Sequence, residues 1–159
     1  MAEPLAYFLT WTCHGTWLNG DERGSVDRDH NQLGTPHLPP DPKREARAAA
    51  KIDHAEIVLT PEARALVEAI IRHHCEIRGW NLRAINVRTN HVHVVVDCRG
   101  TPAGPETAME QFKAWCTRRL REAGFVRPDQ KVWTEHGSTR WINTDHSLAQ
   151  AIDYVLKRQ

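Results

Sequence analysis

The sequence predicts an α+β fold: a ferredoxin-like βαββαβ antiparallel sheet with helices on one face, plus a C-terminal helix that carries a tyrosine. Three observations predict this class. Short runs rich in aromatic and β-branched residues alternate with longer segments whose apolar residues recur at helical spacing. Two of these runs follow each other with almost no linker, which indicates an antiparallel hairpin. The length of 159 residues fits a single domain over residues 1–159.

The first half of the pattern begins with a strand at residues 7–13, where YFLTWTC is rich in aromatic residues and threonine. Residues 19–51 are polar and contain many Gly, Pro and Asp residues, so they are expected to form a long loop insertion. Thr60 is placed as the N-cap of the first helix, with Pro61 at its first helical position. Gly79 is expected to end that helix.

The second half contains the hairpin, a helix, a strand and the last helix. NLRAINVRT and HVHVVVDC are predicted to pair around Thr89 and Asn90. The second helix, which Gly124 ends, has one apolar side formed by Met109, Phe112, Cys116 and Leu120. KVWTEHGSTRWIN indicates a further strand or a strand with a break at Gly137, and an apolar stripe from about Ser147 predicts the last helix.

Composition narrows the function classes only slightly. The 21 basic and 20 acidic residues give a formal net charge of +1, so any basic binding site must be local. No apolar run is long enough to span a membrane and the first residues lack a signal-peptide pattern, which predicts a cytoplasmic protein without a membrane partner. The four cysteines contain no C-x-x-C pair, so neither a zinc ribbon nor a disulfide framework is indicated.

The stretch TNHVHVVVDC places His91 and His93 at alternate positions of a strand. Residues i and i+2 of a strand point to the same face, so the two histidines share one face while the intervening valines face the helix-covered core. Adjacent imidazoles on an open face suit the binding of one metal ion. Two solvated histidines on an amphipathic strand fit the same pattern, so both interpretations stay open at this point.

Only two tyrosines are present, Tyr7 in the first strand and Tyr154 in the last helix. With residues placed at about 100° intervals, Tyr154 lies off the apolar stripe of its helix, on a side not needed for packing. A His-hydrophobic-His element with a separate tyrosine is found in nucleases that use the tyrosine as nucleophile. An ordinary boundary tyrosine remains the alternative.

Four segments in this order resemble the single-tyrosine HUH transposases, including the REP-associated tyrosine transposases: NHVHVVV, FKAWCTRRLREAG, VWTEHGSTRWI and AIDYVLKRQ. The resemblance covers most of the chain from about Tyr7 onward, except the loop at residues 19–51. It implies an enzyme that cleaves and rejoins single-stranded DNA next to hairpins. Tyr154 would be the nucleophile of a 5′-phosphotyrosine intermediate, and His91 and His93 would be metal ligands.

The resemblance also implies a divalent metal ion, Mg²⁺ or Mn²⁺, with a further polar ligand from about one turn beyond the tyrosine. In this chain Gln159 is the candidate for that third ligand. The implied partner is single-stranded or hairpin DNA. Related transposases act as dimers with composite sites or as monomers, so a homodimer and a monomer both remain open.

Clustered basic residues indicate where DNA phosphates would bind, and the second helix has no acidic residue from Phe112 to Arg121. The candidates are the basic residues of that helix and a pair beside the tyrosine: Lys113, Arg118, Arg119, Arg121, Lys157 and Arg158. A solvated helix face gives the same pattern. Because the third ligand position is weak, the alternative function is a domesticated hairpin-DNA-binding module without strand transfer.

Overall fold

The structure is a computed structural model that describes residues 3–16 and 56–157. Its contacts divide the chain into two units, Met1–Cys13 with Val58–Gln159, and His14–Ile57. Every helix and strand discussed below belongs to the first unit. Of the second unit the structure describes residues 14–16 and 56–57, where the Ile57 amide donates to the His14 carbonyl. The loop predicted at residues 19–51 lies outside the described residues, and a single domain over residues 1–159 stays a prediction.

The first unit contains a four-stranded antiparallel sheet and three helices, as predicted. In chain order they are β1 (Ala6–Thr12), α1 (Pro61–Arg78), β2 (Asn81–Val87), β3 (His91–Asp97), α2 (Pro105–Glu122), β4 (Ser138–Ile142) and α3 (Asp145–Lys157). The strand order across the sheet is β2-β3-β1-β4, which is the order of a ferredoxin-like βαββαβ sheet. The predicted fold class is therefore confirmed.

Local sequence signals explain most of the element boundaries. The Thr60 side chain accepts a hydrogen bond from the Ala63 amide, and Gly79 ends α1 in a left-handed conformation with φ 74°. Only residues 88–90 separate β2 from β3, and the Arg88 amide donates to the His91 carbonyl across the turn. The predicted hairpin around Thr89 and Asn90 is thus present.

α1 and α2 pack together over one face of the sheet. Trp11 of β1 stacks on Phe112 of α2 with ring centroids 6.1 Å apart, and Phe112 also meets the ring of His74 in α1. Val92 and Val94 of β3 point to this side and are fully buried. Burial of these apolar side chains is the main force that holds both helices on the sheet.

α3 packs on the opposite face, the one that carries the two histidines. Its buried residues Ala151 and Val155 join a cluster with Ala6, Val95 and Ile142 of the sheet. The histidine face, expected to be open, is thus covered by α3 along part of its length. The apolar stripe of α3 holds the helix on this face. α3 therefore forms one wall of the site described below.

Among residues 3–16 and 56–157, no helix combines the length and the apolar character needed to cross a bilayer.

Candidate active site

His91 and His93 lie side by side on the face of β3 that meets α3. Their rings form an edge-to-face pair with centroids 4.8 Å apart. Strand register places Thr12 opposite His91 and Thr10 opposite His93 on the neighbouring β1. The alternation of β3 produces this pair, because the valines between and after the histidines fill the core on the other side.

Each histidine has an oxygen partner at Nδ1. The Nδ1 of His91 lies 2.7 Å from the side-chain carbonyl oxygen of Asn90, and the Nδ1 of His93 lies 2.8 Å from the Thr10 hydroxyl. An amide oxygen only accepts, so the His91 contact places the ring proton on Nδ1 and the lone pair on Nε2. Partners of this kind fix the orientation and tautomer of metal-binding histidines.

His93 is buried, with 7% of its surface exposed. Burial, followed by the charges of His91 and Arg88, lowers the pKa of His93 to about 4. At neutral pH its imidazole is therefore uncharged, which is the form that can bind a metal ion through a nitrogen lone pair.

Tyr154 lies on the side of α3 that faces the histidines. Its ring centroid is 5.9 Å from that of His93 and 5.9 Å from that of Phe8, within the same chain. The ring is 43% exposed, so one side packs and the other meets solvent. The last turn of α3 is tied to the sheet because the Asn86 side-chain amide donates to the Val155 carbonyl at 2.9 Å.

A groove of about 630 Å³ opens between α3 and the β1–β4 half of the sheet. We call it the tyrosine groove, and its lining residues are Phe8, Thr10, His93, Ser138, Arg140, Trp141, Ile142, Ser147, Gln150, Ala151 and Tyr154. Its volume lies within the range of ordinary ligand pockets. One candidate metal ligand and the candidate nucleophile thus share one cleft.

Within the described part of the chain, no three His, Cys, Asp or Glu side chains form a group that could hold a metal ion. The two histidines supply two nitrogen ligands. The predicted third ligand, Gln159, lies outside the described residues, as does Arg158. Both stay predictions.

The basic residues predicted to bind DNA from α2 do not line the tyrosine groove. The Lys113 ammonium donates to the backbone carbonyls of residues 134, 135 and 136. Arg118 and Arg119 pair with Glu122, and Arg121 donates to the Gln130 carbonyl. Lys157 pairs with Asp153, 3.2 Å away in α3. The DNA-binding role of these residues stays a prediction.

Three side chains that sequence reasoning did not select belong to the site or support it: Thr10, Asn86 and Arg140. Thr10 and Phe8 alternate along β1, a pattern that indicates a shared face but not which face. Asn86 and Arg140 have no local signal, because their positions depend on how β2 and β4 pair with the central strands. Register, which sets these neighbours, is not visible from one sequence.

Comparisons with known proteins agree with this fold. A family model described as "Transposase IS200 like" matches residues 52–152, which include both histidines and end before Tyr154. A proposed transposase of Deinococcus radiodurans R1, solved at 1.90 Å, shares 18% identity at a TM-score of 0.54, over 98% of this chain and 91% of that one.

A REP-associated tyrosine transposase bound to a REP hairpin shares 11% identity at a TM-score of 0.51, over 97% of this chain and 66% of that one. At these identities the two structures support the fold alone. No curated protein sequence shows significant similarity. The family match spans more than half of the chain, and the chain therefore belongs to the IS200-like transposase family.

Proposed function

We propose that this protein is a metal-dependent transposase that cleaves and rejoins single-stranded DNA next to hairpins through a 5′-phosphotyrosine intermediate. The observation that carries the proposal is the contact between Tyr154 and His93, whose rings lie 5.9 Å apart in one chain. Tyr154 and His93 share one cleft, and His91 lies beside His93, so a proposed nucleophile lies close to a pair of proposed metal ligands. That combination suits attack on a phosphodiester.

The donor set fits a divalent ion in part. His91 and His93 would hold Mg²⁺ or Mn²⁺ through Nε2, because each Nδ1 is engaged by an oxygen partner. Imidazole nitrogens favour Mn²⁺ over Mg²⁺, which prefers oxygen ligands. We propose Gln159 as a further oxygen ligand. When bound, the ion would polarise the scissile phosphate.

Tyr154 is the proposed nucleophile. Its hydroxyl oxygen forms a bond to phosphorus, the bond from phosphorus to the 3′ oxygen breaks, and the phenolic proton is lost as the released 3′ oxygen gains one. The ester bond is conserved in the phosphotyrosine, so attack by another 3′-OH rejoins the DNA without a nucleotide cofactor. The side chains that position Tyr154 are Phe8 and His93, which contact its ring.

The proposed partner is hairpin DNA with a single-stranded flank, since one structural neighbour was solved bound to a REP hairpin. We keep Lys113, Arg118, Arg119, Arg121, Lys157 and Arg158 as proposed phosphate contacts. Some of these basic side chains already pair with groups of this chain and would have to leave those partners to bind phosphates. For exposed ion pairs the free-energy cost of this exchange is small. A homodimer remains part of the proposal.

The test is formation of a covalent protein–DNA adduct. The protein is incubated with a labelled hairpin carrying a single-stranded flank and Mn²⁺, and the products are separated on a denaturing gel. The two tyrosines offer a matched pair: Tyr154→Phe should abolish the adduct, whereas Tyr7→Phe should retain it, because the Tyr7 hydroxyl donates to the Ala103 carbonyl. An adduct that survives Tyr154→Phe would remove Tyr154 as the nucleophile.

A second candidate function is a hairpin-DNA-binding module without strand transfer. The observation that favours it is that the described residues provide no third His, Cys, Asp or Glu ligand beside the two histidines. This alternative would be established if the protein binds the hairpin tightly and forms no adduct. The binding affinity should then be the same with and without Mn²⁺ and in His91→Ala. A metal-dependent adduct that His91→Ala abolishes would exclude it.

A further inference from the structure

Arg140 of β4 is placed next to the candidate nucleophile by strand pairing. It lies directly opposite Phe8 of β1, and the Phe8 ring contacts both His93 and Tyr154 at centroid distances of 5.9 Å. Paired residues of antiparallel strands point to the same face. Arg140 and Tyr154 thus both line the tyrosine groove.

The charge of the groove matches a polyanion. Among the described residues, its lining includes no Asp or Glu, and Arg140 is the one Lys or Arg in it. Within residues 3–16 and 56–157, no carboxylate forms an ion pair with Arg140, whereas Arg118 and Arg119 of α2 pair with Glu122. An arginine in a cleft without carboxylates offers its five donors to an incoming phosphate.

The rest of the groove lining suits single-stranded nucleic acid. Ser138, Ser147 and Gln150 bring hydrogen-bonding side chains, and Phe8 and Tyr154 bring aromatic rings. Trp141 borders the groove, but its ring lies 6.1 Å from that of Tyr7, its strand partner, so the indole belongs to the face of the sheet opposite to Arg140. Proteins hold single strands without sequence preference in positively charged grooves that follow the backbone.

We propose that the tyrosine groove is the track of the single-stranded DNA beside the phosphate that Tyr154 attacks, with Arg140 paired to a neighbouring backbone phosphate. This inference rests on the proposed function for the identity of the attacked phosphate. The binding itself needs neither metal nor chemistry. It is therefore measurable even where no cleavage occurs.

The test measures binding of a fluorescein-labelled oligothymidine by fluorescence anisotropy in EDTA, over a series of salt concentrations. Arg140→Gln should weaken binding roughly tenfold and reduce the slope of log affinity against log salt by about 0.7, the loss of one phosphate contact on a single strand. Arg140→Lys should keep the parental slope.

Arg72→Gln is the matched control, since Arg72 is an exposed arginine of α1 that pairs with Glu68. It should leave both affinity and slope at parental values. Thermal unfolding of each variant checks that the fold is intact. Parental affinity and slope in Arg140→Gln would overturn the proposal.

The adduct assay separates the two proposals. If the parent protein forms no adduct but Arg140→Gln still loses affinity and slope, the groove inference stands and the transposase chemistry fails. If the adduct forms and Arg140→Gln binds like the parent, the groove inference alone fails.

Discussion

The Thr10 hydroxyl lies 2.8 Å from Nδ1 of His93 and occupies that ring nitrogen. Nε2 is therefore the nitrogen that the proposed metal ion would reach, with the hydroxyl accepting the Nδ1 proton. Outer partners of this kind contribute to metal affinity although they never touch the metal. Thr10 is thus a positioning residue for the proposed metal site.

Thr10→Val tests this role, because valine has nearly the same shape and no hydroxyl. We expect the affinity for Mn²⁺, measured by isothermal titration calorimetry, to fall about 10- to 100-fold. Thr139→Val is the control, since Thr139 lies opposite Leu9 on the other face of the sheet. Equal affinities of the parent and Thr10→Val would show that the hydroxyl does not support the ligand.

Asp97 and Arg99 form a charge pair at the end of β3 that gives a pH-dependent stability. The hydrogen bond from the Arg99 side chain, 2.8 Å at its shortest, is the main cause that holds the pKa of Asp97 below its ordinary value of 3.8. A depressed folded pKa means that the ionised carboxylate stabilises the fold. That contribution is complete above pH 3.8 and is lost as the pH falls from there through the folded pKa.

Urea unfolding from pH 6 to pH 2.5 should therefore show a smaller acid-induced loss of stability in Asp97→Asn than in the parent. Arg99→Ala, which removes the donor, should show the same reduction. If the free energy of unfolding falls with pH in parallel for the parent and both variants, the Asp97–Arg99 pair does not contribute to the acid sensitivity of the fold.

At the scale of single residues, the sequence predicted the positions of the two histidines and the tyrosine better than it predicted the side chains that contact them. Alternation along β3 is enough to place His91 and His93 on one face, and helical periodicity is enough to place Tyr154 off the packing stripe. Thr10 lies 83 residues from His93, and only the paired register of β1 and β3 brings them together. Local periodicity carries no information on such a contact.

At the scale of elements, the position of α3 is what brings the proposed nucleophile to the proposed metal ligands. Val155 is fully buried against the sheet, and its carbonyl accepts the side-chain hydrogen bond from Asn86 of β2. The next residue toward the N-terminus is Tyr154. The last turn of the helix is therefore held by an apolar contact and a polar one, and both act on the backbone beside the tyrosine.

Asn86→Ala should loosen this turn. We expect a loss of about 1 kcal/mol in the free energy of unfolding, typical of one hydrogen bond, and a slower formation of the DNA adduct. Affinity for oligothymidine should stay parental, because Asn86 is not part of the groove lining. Asn81→Ala, at the exposed end of the same strand, is the control and should alter neither adduct rate nor affinity.

Gly137 lies directly before β4, and the structure explains why a glycine is needed at this position. β4 begins at Ser138, directly after Gly137, and of the predicted strand before the glycine only a single bridge from Trp133 to Cys13 is present. A Cβ at position 137 would lie 2.6 Å from the Thr10 carbonyl oxygen and 2.8 Å from the Met109 sulfur. Glycine allows this close approach, which seats β4 and Arg140 beside the site.

At the scale of the whole molecule, the proposed nucleophile and one proposed metal ligand meet within one chain. Tyr154 and His93 contact each other without a second copy. This arrangement favours the proposed attack by Tyr154 at the site formed by the histidines of its own chain.

Mixing two inactive variants tests this arrangement. Tyr154→Phe lacks the nucleophile, and the double variant His91→Ala with His93→Ala lacks the ligands, so neither alone should form an adduct. If the tyrosine acts within its own chain, the mixture should stay inactive at every protein ratio. An adduct that appears only in the mixture would show that the tyrosine serves the site of another subunit.

The fold class follows from the sequence because each element has a local signal, such as the Thr60 cap, the Gly79 stop or the short turn before His91. The side of the sheet on which α3 packs has no such signal. Two helices with apolar stripes already cover one face, and α3 covers part of the other only because Ala6, Val95 and Ile142 form an apolar patch there. That patch is built from three strands and exists only in the assembled sheet.

The interior position of β1 has a consequence for solubility. β3, with Val92, Val94, Val95 and Val96 fully buried, is flanked by β2 on one side and by β1 on the other. A fragment limited to residues 52–152, the segment matched by the family model, would keep both histidines and lose β1. Its valine-rich strand would then be a bare sheet edge, and such edges pair with other chains and aggregate. The first strand thus protects the histidine strand from self-association as well as supporting His93.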